Sequence, residues 1–441
     1  MGNRRFLDMN GYQWTVLFAA WLGWGFDVFD SLLFNYVAPN CVPTLLGIPL
    51  GTPEAKHATL LWVGILTSLL LIGWGIGGIV FGKVCDRIGR TKTLLLTMIL
   101  YAVGTALCSV APNIWVLALC RLIASFGIGG EWAAGAAMVA EVVPEKRRVE
   151  AGAILYSSAP MGLFLAAFAT KYVEGHLFAG QPEVGWRYVF LCGLLPALVA
   201  FIIRLFIKEP ERWESATDRA NPARIKELFT PEFRRTTLSG LGMAVVALLT
   251  WWSCNAFIPT VGAALAGVEA KAQGLDKRAT EALVGAWKVL GSNWFNLGGL
   301  IGTLLTIPVA KYIGRKVMYG GYFLASGIAI MTTFGLNVPG ETRLFLCFFI
   351  GLTVFGVFGS FTYYLPELYP TRLRATGAGF CYNAGRFIAA GGPPIVGMVA
   401  SMGADTLATA MRILFWVGLV PLAGLLLLPL VVETKGKVLA D

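Results

Sequence analysis

The chain has 441 residues, 56% of them hydrophobic and only 14% charged. Soluble domains carry about 25% charged residues, and here the apolar residues fall in repeated runs near the ~20 residues that span a bilayer, so a soluble globular fold is excluded. The net charge of +10 would suit a nucleic-acid partner, but its placement along the chain assigns it to membrane topology and leaves no nucleic acid among the expected partners.

In chain order, twelve spans are expected, at 12–39, 59–82, 93–111, 114–141, 150–172, 187–207, 236–264, 284–309, 317–336, 343–366, 376–401 and 408–432. The basic start MGNRRFLDMN precedes the first run. No small-residue cleavage site follows it, so no removable signal peptide is expected. There is no Asn-x-Ser/Thr sequon, which leans towards a bacterial source and its inner membrane. The eight cysteines show no CxxC pair, and Cys108, Cys120 and Cys347 lie inside spans, so neither disulfides nor zinc are expected. His57 and His176 fall outside the spans with nothing converging on them. No metal, no cofactor, no nucleotide loop and no enzymatic nucleophile are expected.

Span one carries WGFDVFD. An aspartate at a helix centre costs about 2.5–3.5 kcal/mol on insertion scales, so ionisable residues here are functional candidates. Asp27 and Asp30 are three apart, on one helix face. Arg121, in span four, is eight residues from the outer boundary, and Asp30 is nine residues from Pro39. At about 1.5 Å per residue these depths agree within a turn. Two carboxylates facing one guanidinium leave one in excess, and a desolvated carboxylate can exchange a proton near neutral pH. Proton coupling competes here with a static pair that fixes helix packing. Glu131, deeper in span four, suits a proton relay or a helix brace equally.

The later spans carry the candidates for substrate. Arg386 in span eleven lies twelve residues past Arg374, about 18 Å in. Asn383 is one turn earlier on the same face. An arginine at this depth suits bidentate anchoring of a carboxylate. Asn255 in span seven, Asn296 in span eight and Tyr364 in span ten are further polar candidates, with interhelical hydrogen bonding as the alternative. Trp252, beside Trp251, could stack on an aromatic substrate or simply pack.

Twelve spans place both termini on one side. Lys and Arg number 23 in the loops and tails of that side, against 7 on the other. By the positive-inside rule both termini are cytoplasmic. The polar segment 208–235 separates six-span halves at 1–207 and 236–441. A second polar interruption, 266–283, is expected on the outer face.

Two motifs recur. Gly73, Gly77, Gly89 and Arg90 in GWGIGGIVFGKVCDRIGRTK match Gly298, Gly302, Gly314 and Arg315, each 225 positions on. Glu141, Pro144 and Arg148 in EVVPEKRR match Glu367, Pro370 and Arg374, 226 positions on. An offset of half the chain implies a parallel repeat, with the substrate site between the halves near the midplane. GWGIGG also fits the dinucleotide fingerprint GxGxxG, but it sits in a lipid-length helix with no strand before it, so close helix packing is expected. Asp86, Arg87, Arg90, Glu141 and Arg148, with Glu367 and Arg374, suit an ion-pair latch that holds the cytoplasmic gate shut. The second copy has Lys311 where the first has Asp86, so the two sides of that gate are not equivalent.

GKVCDRIGRTK resembles the signature between helices two and three of the major facilitator superfamily. RLIASFGIGG resembles that superfamily's fourth-helix motif. GGEWAAGAAMVAEVVPEKRR and PELYPTRLRATGAGFCYNAGR resemble its metabolite–proton symporters, and WGFDVFD resembles the aromatic-acid and sialate–proton symporters. The resemblance covers nearly the whole chain. It implies an all-α membrane protein of two six-helix parallel repeats working by alternating access. It also implies that a first-helix carboxylate and the fourth-helix arginine alternate between pairing and protonation. The expected function is proton-coupled symport of a small organic anion, such as an aromatic acid, a sugar acid or another carboxylate, by a monomer in the lipid bilayer. A uniporter, an organic-cation carrier and a non-transporting receptor with this fold remain alternatives.

Overall fold

The computed structural model describes residues 9–50, 52–178, 181–205, 207–209, 224–402 and 406–436. Arg4, Arg5 and most of the expected linker, 210–223, lie outside the described residues, as does the side chain of His57. Helix α1 runs Gly11–Leu46, α2 Pro53–Ile88, α3 Arg90–Ser109, α4 Ile114–Val142, α5 Glu145–Tyr172, and α6 Pro182–Cys192 into Leu194–Arg204. Then α7 runs Arg234–Asn255 into Ile258–Ala272, α8 Lys277–Pro308, α9 Arg315–Gly335, α10 Gly340–Glu367, α11 Arg374–Ala389 into Gly392–Met402, and α12 Leu407–Leu430. Each of the twelve expected spans is thus helical, and there is no strand among the described residues.

Helix starts follow local chemistry. Asn10 and Gln13 form a reciprocal capping box at α1, and the Asn113 and Asp276 side chains accept from backbone N–H groups of α4 and α8. The polar stretch 266–283, expected as an interruption, is helical except for 273–276. Its Ala, Glu and Lys residues are good helix formers. The polar composition there does not break the helices outside that turn.

Five helices break four residues before a proline. The breaks follow Tyr156, Cys192, Asn255, Ala389 and Val417, ahead of Pro160, Pro196, Pro259, Pro393 and Pro421. Proline has no N–H for the carbonyl four residues back, and its ring crowds that carbonyl. α10 departs from regular helix in another way, with a π turn at Gly351–Phe355 and a 3₁₀ turn at Gly356–Ser360.

The repeated glycines set the helix spacing. A Cβ at Gly77 would fall 1.9 Å from the Phe126 carbonyl oxygen of α4, and one at Gly302 2.0 Å from that of Leu352 in α10. Both sites admit backbone against backbone, the packing expected of GWGIGG. Gly78 brings α2 onto α11: a Cβ there would lie 1.9 Å from the Asn383 amide nitrogen. α3 shows the membrane pattern of faces. Leu96, Ile99, Val103 and Leu107 are exposed, while Thr97, Tyr101 and Thr105 are buried.

Candidate functional site

One end of the bundle carries both repeated motifs. There Arg90 donates to Glu141 through Nη2 (2.7 Å) and Nε (3.0 Å), and to Asp86 through Nη1 (3.0 Å). Its repeat partner Arg315 donates to Glu367 at 3.0 Å. Each arginine also donates to the carbonyl five residues before it, of Cys85 and of Ala310. The two sets of six helices are then tied together. Arg374 donates to Glu141 at 3.0 Å, Arg148 lies 3.8 Å from Glu367, and Lys311 lies 2.6 Å from Glu150. The Asp86 carboxylate accepts from the Thr376 backbone N–H and hydroxyl, both at 2.7 Å, at the start of α11. A carboxylate there also meets the positive end of the helix dipole. This motif end is closed. Arg87 takes no part in it, being exposed and without an ion pair among the described residues.

Deeper in, a small cavity of about 40 Å³ lies between the two sets. From the first set, Trp24, Val28, Ser31, Trp74 and Tyr156 line it. From the second come Trp251, Trp252, Phe355, Phe358, Tyr382 and Arg386. Arg386 is 2% exposed and forms no ion pair among the described residues. Its guanidinium lies 4.0 Å from the Trp74 ring centroid and 4.4 Å from that of Tyr382. Such contacts offset part of the cost of a buried cation. Asn383 accepts from Arg386 and donates to the Gly379 carbonyl, so it steers the guanidinium. Tyr382 stacks on Trp132 at 4.1 Å, and its hydroxyl lies 3.3 Å from that of Tyr156 across the interface.

A second polar cluster sits on the other side of α1. Arg121 Nη1 lies 3.6 Å from Asp30 Oδ2, an ion pair beyond hydrogen-bond length. The arginine donates instead to the carbonyls of Asp30 (3.3 Å) and Ser31 (2.8 Å). Thr105 of α3 donates to Asp30 Oδ2 at 3.0 Å, and Oδ1 finds no donor. Asp27 and Glu131 are buried nearby. With Asp30 they lie within electrostatic reach of the Tyr101 hydroxyl. The four residues expected to handle protons are therefore neighbours, although Tyr101 and Thr105 were not singled out in the sequence. Their signal was a polar i, i+4 pair in span three.

Of the other candidates, Trp252 lines the cavity. Tyr364 does not: its hydroxyl bonds Ser239 (2.6 Å) and the Val432 carbonyl (3.1 Å). Asn255 sits at the break in α7, and Asn296 is buried in α8 without lining the cavity. Two acids not among the expected latch residues bond at the same end. Glu209 accepts from the backbone N–H groups of Arg90 (2.7 Å) and Thr91 (3.0 Å). Glu433 accepts from those of Arg315 and Lys316, both at 3.1 Å.

Residues 14–393 match the Major Facilitator Superfamily. A putative metabolite transport protein of Haemophilus influenzae is 29% identical over 98% of this chain and 99% of its own. The sialic acid transporter NanX of Escherichia coli is 27% identical, covering 87% of each chain. The cis,cis-muconate transport protein of Acinetobacter baylyi is 25% identical, covering 90% of each. Among solved structures, the proton:xylose symporter XylE bound to 6-bromo-6-deoxy-D-glucose superposes with a TM-score of 0.73 over 97% of this chain and 98% of that one, at 17% identity. That likeness concerns the fold.

Proposed function

The chain belongs to the major facilitator superfamily and is a multi-pass membrane transporter rather than an enzyme; on that premise we propose that it carries a small organic anion together with protons. One observation supports the anion above all. Arg386 is a buried cation at the cavity wall with no carboxylate partner among the described residues. Leaving such a charge desolvated is costly, and an incoming carboxylate relieves that cost with bidentate hydrogen bonds. The acids named for two relatives, sialic acid and muconate, are of this class.

Proton coupling rests on α1. Its residues Trp24, Val28 and Ser31 line the cavity, while Asp30 of the same helix meets Arg121 behind it. With a loose 3.6 Å ion pair and one oxygen lacking a donor, Asp30 is held weakly as an ion. Asp30 is the proton carrier in this reading, with Asp27 and Glu131 as its relay. A shift of α1 on substrate binding would change the Arg121 distance and hence the proton affinity.

The motif end is cytoplasmic in this account, with both termini there. The units 1–207 and 236–441 rock about the central cavity, and 208–235 links them. In this reading the ion pairs belong to a state sealed towards the cytoplasm. Uptake of radiolabelled benzoate and muconate into proteoliposomes, with and without an inward proton gradient, tests the proposal. Gradient-stimulated accumulation is expected. Accumulation indifferent to the gradient would leave a uniporter, and binding without any flux would leave a receptor.

A further inference from the structure

A threonine hydroxyl within a helix commonly donates to its own backbone, to the carbonyl three or four residues back. Two threonines on the buried face of α3 do so. Thr93 donates to the Gly89 carbonyl at 2.8 Å, and Thr97 to that of Leu94 at 3.0 Å. Thr105, also buried in α3, departs from this pattern. Its hydroxyl donates to Asp30 Oδ2 of α1 at 3.0 Å. Both residues are 0% exposed, so bulk water does not compete for the contact. Arg121 stays 3.6 Å from the same oxygen and bonds the Asp30 and Ser31 carbonyls instead. Thr105 is therefore the only hydrogen-bond donor to the Asp30 carboxylate among the described residues. Oδ1 faces the break in α6, where a Cβ on Gly193 would lie 3.2 Å from it. The charged and titratable groups around this site are Asp27 of α1, Arg121 and Glu131 of α4, and Tyr101 and Cys108 of α3.

Resting on the reading of Asp30 as proton carrier, we infer that Thr105 is a positioning residue for proton exchange at Asp30: its hydroxyl fixes Oδ2, favours the carboxylate over the neutral acid, and leaves Oδ1 as the oxygen that takes the proton. The preference follows from charge. A hydrogen bond to an ionised group is roughly twice as strong as one between neutral groups, so the hydroxyl stabilises the anion more than the acid. The contact also joins two helices. Thr105 is rooted in α3, whereas Asp30 rides on α1, whose Trp24, Val28 and Ser31 line the cavity. Movement of α1 away from α3 breaks the bond and favours protonation. Return of α1 restores the donor and favours release.

An infrared pH titration of the purified full chain tests this. The protonated-carboxyl band that is lost in Asp30→Asn reports Asp30 itself and needs no transport. Thr105→Val keeps the side-chain shape and removes the hydroxyl. It should move the midpoint of that band to higher pH by about one unit, a tenfold gain in proton affinity, the scale of one hydrogen bond to a charged group. Thr105→Ala should move it the same way. Thr105→Ser restores the donor and should return the midpoint to that of the wild type. Thr97→Val removes a hydroxyl that serves its own helix and should leave the midpoint in place. The pH dependence of gradient-driven benzoate uptake should move with the band. An unmoved or lowered midpoint in the Val and Ala variants would overturn the inference while Asp30 remains the carrier. A shift in Thr105→Ser equal to that in Thr105→Val would overturn it too, since packing would then be the cause. If Asp30→Asn removes no pH-dependent band, the proton reading falls and this inference falls with it.

Discussion

Lys311, in the π turn Val309–Ile313 that follows α8, lies 2.6 Å from Glu150 of α5, at the repeat positions where Asp86 of α2 meets Thr376 of α11. In the proposed gate, one side is thus a Lys–Glu ion pair. The other is a carboxylate capping a helix start. The Lys311 side chain is 36% exposed, so its pair is partly screened by water and salt, whereas the capped Asp86 is 2% exposed at its side chain.

The α5–α8 side should therefore be the salt-sensitive one. Lys311→Glu should destabilise the closed state by about 1 kcal/mol, near the top of the range for partly exposed pairs, because two acids then face each other. The double variant Lys311→Glu/Glu150→Lys should restore it. Spin-label distances between the motif-end tips of α5 and α8 would show this as a lengthening that the double variant reverses. No change in the single variant would show that the pair does not hold this side shut.

Asp30 should matter to coupling more than Asp27 does. Asp30→Asn removes the charge facing Arg121, and pH-driven uptake should fall by at least tenfold while substrate exchange persists. Asp27→Asn should cause a smaller loss in the same assay. Full pH-driven uptake by both variants would refute the assignment of proton carriage to α1.

Outside the membrane, Glu227 pairs with Arg372 just ahead of α7. The hydrogen bond from Arg372 holds the Glu227 carboxyl below its ordinary value of 4.5. A folded-state value below the unfolded one stabilises the fold above pH ~4.5, and that contribution is lost as pH falls through the lowered value. Glu227→Gln should thus lower the melting temperature slightly at pH 7, by the equivalent of about 0.5 kcal/mol. The effect should shrink as pH falls below 4.5 towards the lowered value. An equal effect across that range would mean that packing, not charge, is what the variant removes.

Much of this arrangement was legible in the sequence, for physical reasons. Lipid demands long apolar helices, so the spans announce themselves. The 225-residue offset between Arg90 and Arg315 reports a duplicated set of ion pairs, because such pairs need fixed geometry. Which face of a span looks inward is harder to read, since lipid-facing and buried residues are both apolar. That is why Tyr364, tied to Ser239 and Val432, could pass for a cavity residue. The Tyr101 site was hidden likewise, because it depends on which α3 face meets α1. Glu209 and Glu433 escaped notice because their partners are backbone N–H groups, which no side-chain pattern records. The breaks before prolines could have been read directly from Pro160, Pro259 and Pro393.

In the proposed mechanism Arg386 receives the substrate carboxylate. The most direct measurement compares wild type, Arg386→Lys and Arg386→Gln for benzoate affinity and for accumulation in proteoliposomes under a proton gradient. Benzoate affinity should fall by at least tenfold in the Gln variant, as expected for loss of a charged hydrogen bond. The Lys variant, which keeps the charge without the bidentate fork, should lie between, and accumulation should fall in the same order. Wild-type affinity in Arg386→Gln would contradict the account.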